Sequence, residues 1–154
     1  MATNGHAIDA LAALDGTVRG ALAYFEAMDP TPKASSGAWG VWEVLSHFSF
    51  WHEVTIEGMQ SVAKGGSRLR LQAAADELNA DAIARHQGMS LLDLTERLRL
   101  LHEELRRAVQ SLPDMDVPVM MRVDGTLLSG RQRLEAIGRH WAQHMAELEA
   151  ARQP

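Results

Sequence analysis

The chain has 154 residues, 46% hydrophobic and 23% charged, the composition of a globular protein large enough to bury a core and not of a disordered one. Its 15 basic residues stand against 20 acidic ones, a formal net charge of −5, which argues against a phosphate-backbone partner and hence against nucleic acid. Cysteine is absent, so no disulfide, thiolate ligand or protein thiol nucleophile is available, and any sulfur chemistry requires a thiol brought by a small molecule.

The opening residues, MATNGHAIDA, lack the basic and then apolar regions of a secretory signal. No apolar run approaches the length of a membrane span. These features predict a single cytoplasmic domain over 1–154 with no membrane partner.

A first helix is predicted from near Ala7, where Leu11, Leu14, Val18, Leu22, Phe25 and Met28 recur at three-and-four spacing. The two prolines of DPTPKASSG end it. A second helix runs over about Val41 to Ala63 and stops at Lys64-Gly65-Gly66-Ser67. A connection of some 25 residues follows, long against the about 2–8 residues of ordinary bundle loops, and long enough to cross a bundle. Part of it, Ala80 to His86, has the makings of a short helix.

Ser90 and Asp93 form a plausible capping pair for the third long helix. Its seam is Leu91, Leu94, Leu98, Leu101, Leu105, Val109 and Leu112, closed by Pro113. Asp124-Gly125 predicts a tight turn inside MDVPVMMRVDGTLLS, of which VPVMMRV is at most a short extended piece. The last helix carries the stripe Leu134, Ile137, Trp141, Met145 and Leu148. Nothing alternates with period two for long enough to demand a sheet. The predicted class is all-α, a four-helix bundle with one long crossover between helices 2 and 3.

Seven histidines carry the chemical signal. His140 and His144, in RHWAQHMAEL, lie four apart, about 40° around a helix axis, so both imidazoles project to one side and can share a metal. Two exposed histidines would look the same. On the helical wheel His144 falls about 60° and His140 about 100° from the centre of the apolar stripe, flanking it. His47, in WEVLSHF, flanks the stripe Val44–Phe48–Trp51–Thr55–Met59 of the second helix. A lone histidine there is more often a core residue, but with the His140–His144 pair it would complete a three-imidazole set leaving a position open for water or substrate. His52 is about 140° round from His47, too far to share the ion. His102 lies beside the leucine seam, where packing or surface exposure is expected, and His6 and His86 receive no role. Glu43, one turn before His47, is either a hydrogen-bond partner of the site, a base, or an exposed residue. No Glu-x-x-His occurs, which removes the di-iron carboxylate bundles.

These segments resemble a known family. AWGVWEVLSHF, with Trp39 eight residues before His47, looks like the helix-two signature of the DinB/YfiT-like superfamily, and RHWAQHMAEL is similar to its C-terminal His-x-x-x-His helix. ELNADAIARHQGMSLLDLTERLRLLHEELRRAVQSLPD resembles the linker and third helix of the DfsB/ClbS-like and maleylpyruvate-isomerase-like branches. The resemblance implies an up-down-down-up four-helix bundle, often a homodimer, with one divalent metal on His47, His140 and His144. It implies thiol-dependent isomerases or transferases, or hydrolase-like self-protection proteins. Imidazole ligands fit zinc, nickel, iron and copper alike; the expected ion is Zn²⁺, with Ni²⁺ or Fe²⁺ as alternatives. The expected function is a metal-dependent enzyme acting on a small molecule, with water or a low-molecular-weight thiol as nucleophile. Two alternatives stand beside it: a sequestration protein whose pocket is lined by Trp39, Trp42, Trp51 or Trp141, and a structural helical dimer.

Overall fold

A computed structural model describes residues 2–27, 35–36 and 39–152, with side chains over 8–27 and 40–151. Among the described residues five helices dominate: α1 (Ala2–Glu26), α2 (Val41–Ala63), α3 (Ala75–Arg85), α4 (Leu91–Ser111) and α5 (Gly130–Arg152). Five short strands accompany them there: β1 (Ser35–Ser36), β2 (Trp39–Gly40), β3 (Leu69–Arg70), β4 (Pro118–Met121) and β5 (Leu127–Ser129). Among the described residues no helix is long and apolar enough to cross a membrane.

The apolar stripes read from the sequence are the faces that pack. Leu14, Val18, Leu22 and Phe25 of α1, Val44, Phe48 and Met59 of α2, Leu94, Leu98 and Leu105 of α4, and Leu134, Ile137, Trp141 and Leu148 of α5 belong to one contiguous core. Met28 lies outside the described residues. Polar residues on opposite helices give the relative directions. The Arg97–Glu53 ion pair and the Gln60–Glu104 hydrogen bond advance together along α2 and α4, so these helices run parallel. His47 meets His140 and His144 whereas Thr55 meets Arg133, so α2 and α5 are antiparallel. Asp15 contacts His102 and Arg106, and Glu26 pairs with Arg99, so α1 runs antiparallel to α4.

A parallel α2–α4 pair requires a connection that returns the chain to the starting end, and the long crossover supplies it. Within it α3 begins at Ala75, five residues before the expected Ala80, and its first turn carries Asp76 and Glu77, whose charges favour a helix N-terminus. The Ser90–Asp93 pair forms a full capping box: Ser90 Oγ accepts the Asp93 N–H at 3.0 Å and Asp93 Oδ2 accepts the Ser90 N–H at 3.2 Å. Helix α1 starts at Ala2, earlier than the periodicity suggested.

The clearest departure from an all-α reading is a three-stranded sheet in the order β3-β4-β5, with β3 parallel and β5 antiparallel to β4. Its strands are too short to show an alternating pattern, and Asp124-Gly125 makes the turn between β4 and β5. There Gly125 holds φ +89°, and the Arg122 carbonyl accepts its N–H at 2.9 Å. Gly58 lets the sheet approach α2: a Cβ at that position would stand 2.4 Å from the Val119 carbonyl oxygen. The chain is therefore mainly helical, with a small sheet laid on α2.

Candidate metal and substrate site

Phe48 and Trp141 stack face to face, centroids 3.9 Å apart and planes 8° from parallel, at the contact of α2 with α5. Each is followed or preceded by a histidine, so this stack sets the register in which His47 faces the other helix. His47 stands 5.9 Å from His140 and 5.3 Å from His144, ring centroid to ring centroid, and the last two are 6.4 Å apart. The three side chains expected together are thus neighbours across a gap of some ninety residues in sequence. Rings on one tetrahedral ion, with metal–nitrogen lengths of about 2.0–2.1 Å, have centroids roughly 5 Å apart. The observed triangle has that shape and is slightly wider. Among the described residues no group of three His, Cys, Asp or Glu is arranged to hold a metal ion as it stands. His140 is exposed and His144 half-buried.

His47 is oriented by a residue from the crossover. Asn79 Oδ1 lies 2.8 Å from His47 Nδ1 and also 2.8 Å from the Trp51 indole Nε1. An indole N–H only donates, so the atom it meets is the Asn79 carbonyl oxygen, and His47 Nδ1 must donate as well. That fixes the tautomer and puts the ring lone pair on Nε2, the arrangement seen in metal-binding histidines. Burial pushes His47 down to about 4, against the hydrogen bond it donates to Asn79, which raises it, and with His144 and His140 lowering it further. Burial likewise lowers His140, with His144, Arg133, Arg139 and Arg122 adding to the effect. It lowers His144 too, while Glu147, 3.8 Å from its Nδ1, works the other way. Neutral imidazole is the ligating form.

A cavity of about 360 Å³ opens beside His47 and His140. Phe48, Trp51, Leu71, Met120, Ile137 and Trp141 make its walls apolar, and the β4–β5 hairpin contributes Arg122 and Asp124 at one side. Arg133 also lines it and is 6% exposed. Its Nε and Nη2 both donate to Thr55 Oγ1 at 3.2 Å, and its guanidinium lies over Trp51 at 5.3 Å. Of the four tryptophans considered, Trp51 and Trp141 reach the cavity, Trp42 donates to the Met89 carbonyl at 2.8 Å, and the Trp39 side chain lies outside the described residues. Glu43 is partly buried in the first turn of α2 and is not among the residues lining the cavity.

Several polar residues escape a periodicity argument. His102 is no surface residue: its Nε2 is 2.7 Å from Asp15 Oδ1, and its Nδ1 is 3.2 Å from Nε2 of the fully buried His52. This Asp15–His102–His52 chain ties α1, α4 and α2 together inside the core. His86 is buried and shares a 2.7 Å hydrogen bond with Ser46 Oγ. Asn79 and Arg133 gave no sequence signal beyond position, although Arg133 sits two helical turns before His140 on the same face.

No protein-family model, no curated protein and no solved structure matches this chain.

Proposed function

We propose that the protein is a metal-dependent enzyme of the DinB/YfiT-like kind, an up-down-down-up four-helix bundle that holds one divalent ion on His47, His140 and His144. The observation that carries this proposal is the triangle of imidazoles, 5.3–6.4 Å on a side, at the wall of an apolar cavity. The parallel α2–α4 pair and the antiparallel α2–α5 and α1–α4 pairs support the bundle topology. A bound ion of this class lowers the pKa of a coordinated water or thiol and supplies a nucleophile near neutral pH. The chain's own residues do the rest. Asn79 holds His47 in one tautomer, the Phe48–Trp141 stack holds α2 and α5 in register, and the apolar cavity walls offer a surface for a small-molecule substrate. With no cysteine in the chain, a transferase or isomerase reaction requires a low-molecular-weight thiol as co-substrate, while a hydrolase requires only water. We propose Zn²⁺ as the ion, with Ni²⁺ and Fe²⁺ as the alternatives imidazole ligands allow, and a cytoplasmic homodimer as the setting.

The test is elemental analysis of tag-free wild type beside His47→Ala and His140→Ala. About one equivalent of metal in wild type and its loss in both folded variants is the expected result. A full metal complement in His47→Ala sinks the three-histidine site. A second reading, non-catalytic capture of an apolar molecule, draws on the same walls of Phe48, Trp51 and Trp141. Ligand affinity unchanged by complete chelation would favour it.

A further inference from the structure

Among the described residues, Arg133 is a buried cation without a matching anion. It is 6% exposed, and burial pushes its guanidinium down to about 10, which still leaves it charged at neutral pH. The charge that acts on it is Arg122, of the same sign, which lowers it further. Its hydrogen bonds go to one neutral oxygen, Thr55 Oγ1, which takes two of its five N–H groups. Trp51 beneath it adds a cation–π contact but no counter-charge. Among the described residues no carboxylate lies within ion-pair distance of Arg133. Asp124, across the cavity wall, is engaged at the hairpin, where its Oδ1 accepts the Thr126 N–H at 2.9 Å. Removing a guanidinium from water without a partner is costly, and buried charges are as a rule paired.

Position gives the rest. Arg133 and His140 are seven residues apart on α5, close to two full turns, so they project to the same side about 10 Å apart along the axis. Both line the one cavity, with Phe48, Trp51, Ile137 and Trp141 around them. We infer that the cavity takes an organic acid, with its carboxylate on the fork of Arg133 and its apolar body along Phe48, Trp51 and Trp141, which directs the far end toward His47 and His140. The planar guanidinium offers two parallel N–H groups to a carboxylate, which a neutral amide of the same shape cannot match. Exposed Arg122 at the hairpin steers the acid in, in a chain that is otherwise acidic.

This inference rests on the cavity being the substrate chamber of the proposed enzyme, and its test reads binding without turnover. Benzoate, phenylacetate and 3-phenylpropionate are titrated calorimetrically into full-length protein beside benzamide, phenylacetamide and 3-phenylpropanamide. Each series is run in chelator-treated and in zinc-supplemented samples. At least one acid should bind about tenfold or more tightly than its amide in both. Arg133→Met should remove that preference while keeping amide affinity and a wild-type circular dichroism spectrum, and Arg133→Lys, which keeps charge but loses the fork, should keep part of it. Equal affinity within all three pairs, no binding of any acid to wild type, or a preference that survives in Arg133→Met overturns the assignment. The wild-type comparison decides even if a variant does not fold. Metal loss in His47→Ala with the acid preference intact separates the two proposals, as does full metal content without any preference.

Discussion

Asn79 Oδ1 accepts hydrogen bonds from His47 Nδ1 and Trp51 Nε1, both at 2.8 Å, so a residue of the crossover helix sets the tautomer of a histidine on α2. The pairing joins a segment with no apolar stripe of its own to the centre of the proposed site. It also makes Asn79 a positioning residue: Asn79→Ala should fold, retain the three histidines, and bind metal about 10–100-fold more weakly than wild type. Competition with a chromophoric chelator measures this. Unchanged affinity in folded Asn79→Ala removes Asn79 from that role.

Phe48→Ala separates two effects that the stack combines. Loss of a buried ring of this size costs about 3–5 kcal/mol, to be read from urea denaturation. Because the Phe48–Trp141 contact also sets the register of α2 on α5, metal content should fall in the variant under conditions where it is still folded. A variant that loses stability but keeps its full metal complement would show that the register has another determinant.

His52 predicts how stability depends on pH. It is fully buried, and burial, with His102 and Arg133 nearby, pushes it down to about 3 from 6.5. The unfolded chain takes up this proton near 6.5 whereas the folded chain refuses it until about 3. The stabilising effect of neutral His52 is therefore whole above the unfolded value and is lost as pH falls through that window, at up to about 1.4 kcal/mol per unit. His52→Gln should show a shallower loss of urea midpoint between about pH 7 and pH 4 than wild type. Buried His47, His86 and His102 are lowered too, so a residual slope is expected. An identical slope in the two proteins contradicts the assignment of His52.

Glycines on different helices should respond oppositely to alanine. At Gly58 a new Cβ meets the Val119 carbonyl oxygen at 2.4 Å, so Gly58→Ala should lower stability by about 1–3 kcal/mol despite alanine's better helix propensity. At Gly16 on α1 no other described residue comes within 4 Å of an added Cβ beyond the helix's own backbone and chain neighbours, and Gly16→Ala should raise stability by about 0.5–1 kcal/mol. Thermal melts of the two variants decide; a stabilised Gly58→Ala means that β4 does not lie on α2 at this point.

The sequence by itself determined the long helices, because a stripe such as Leu94–Leu98–Leu105 can be buried only if the backbone turns every 3.6 residues, and such periodicity is local. It also marked His140 and His144 as neighbours, since four residues on a helix fix their separation whatever surrounds them. The Asp124-Gly125 turn and the Ser90–Asp93 cap were legible for the same reason: each is complete within a few residues. Only the tertiary structure decided that His47 meets that pair, that His102 bridges His52 and Asp15 rather than facing solvent, and that β3 finds β4 some fifty residues away. These contacts depend on how the long crossover folds back and on which face of α2 meets α5, and no local pattern encodes either. Arg133 and Asn79 belong to the same class. Their meaning comes from burial and from the atoms opposite them, and both are set when separate helices pack.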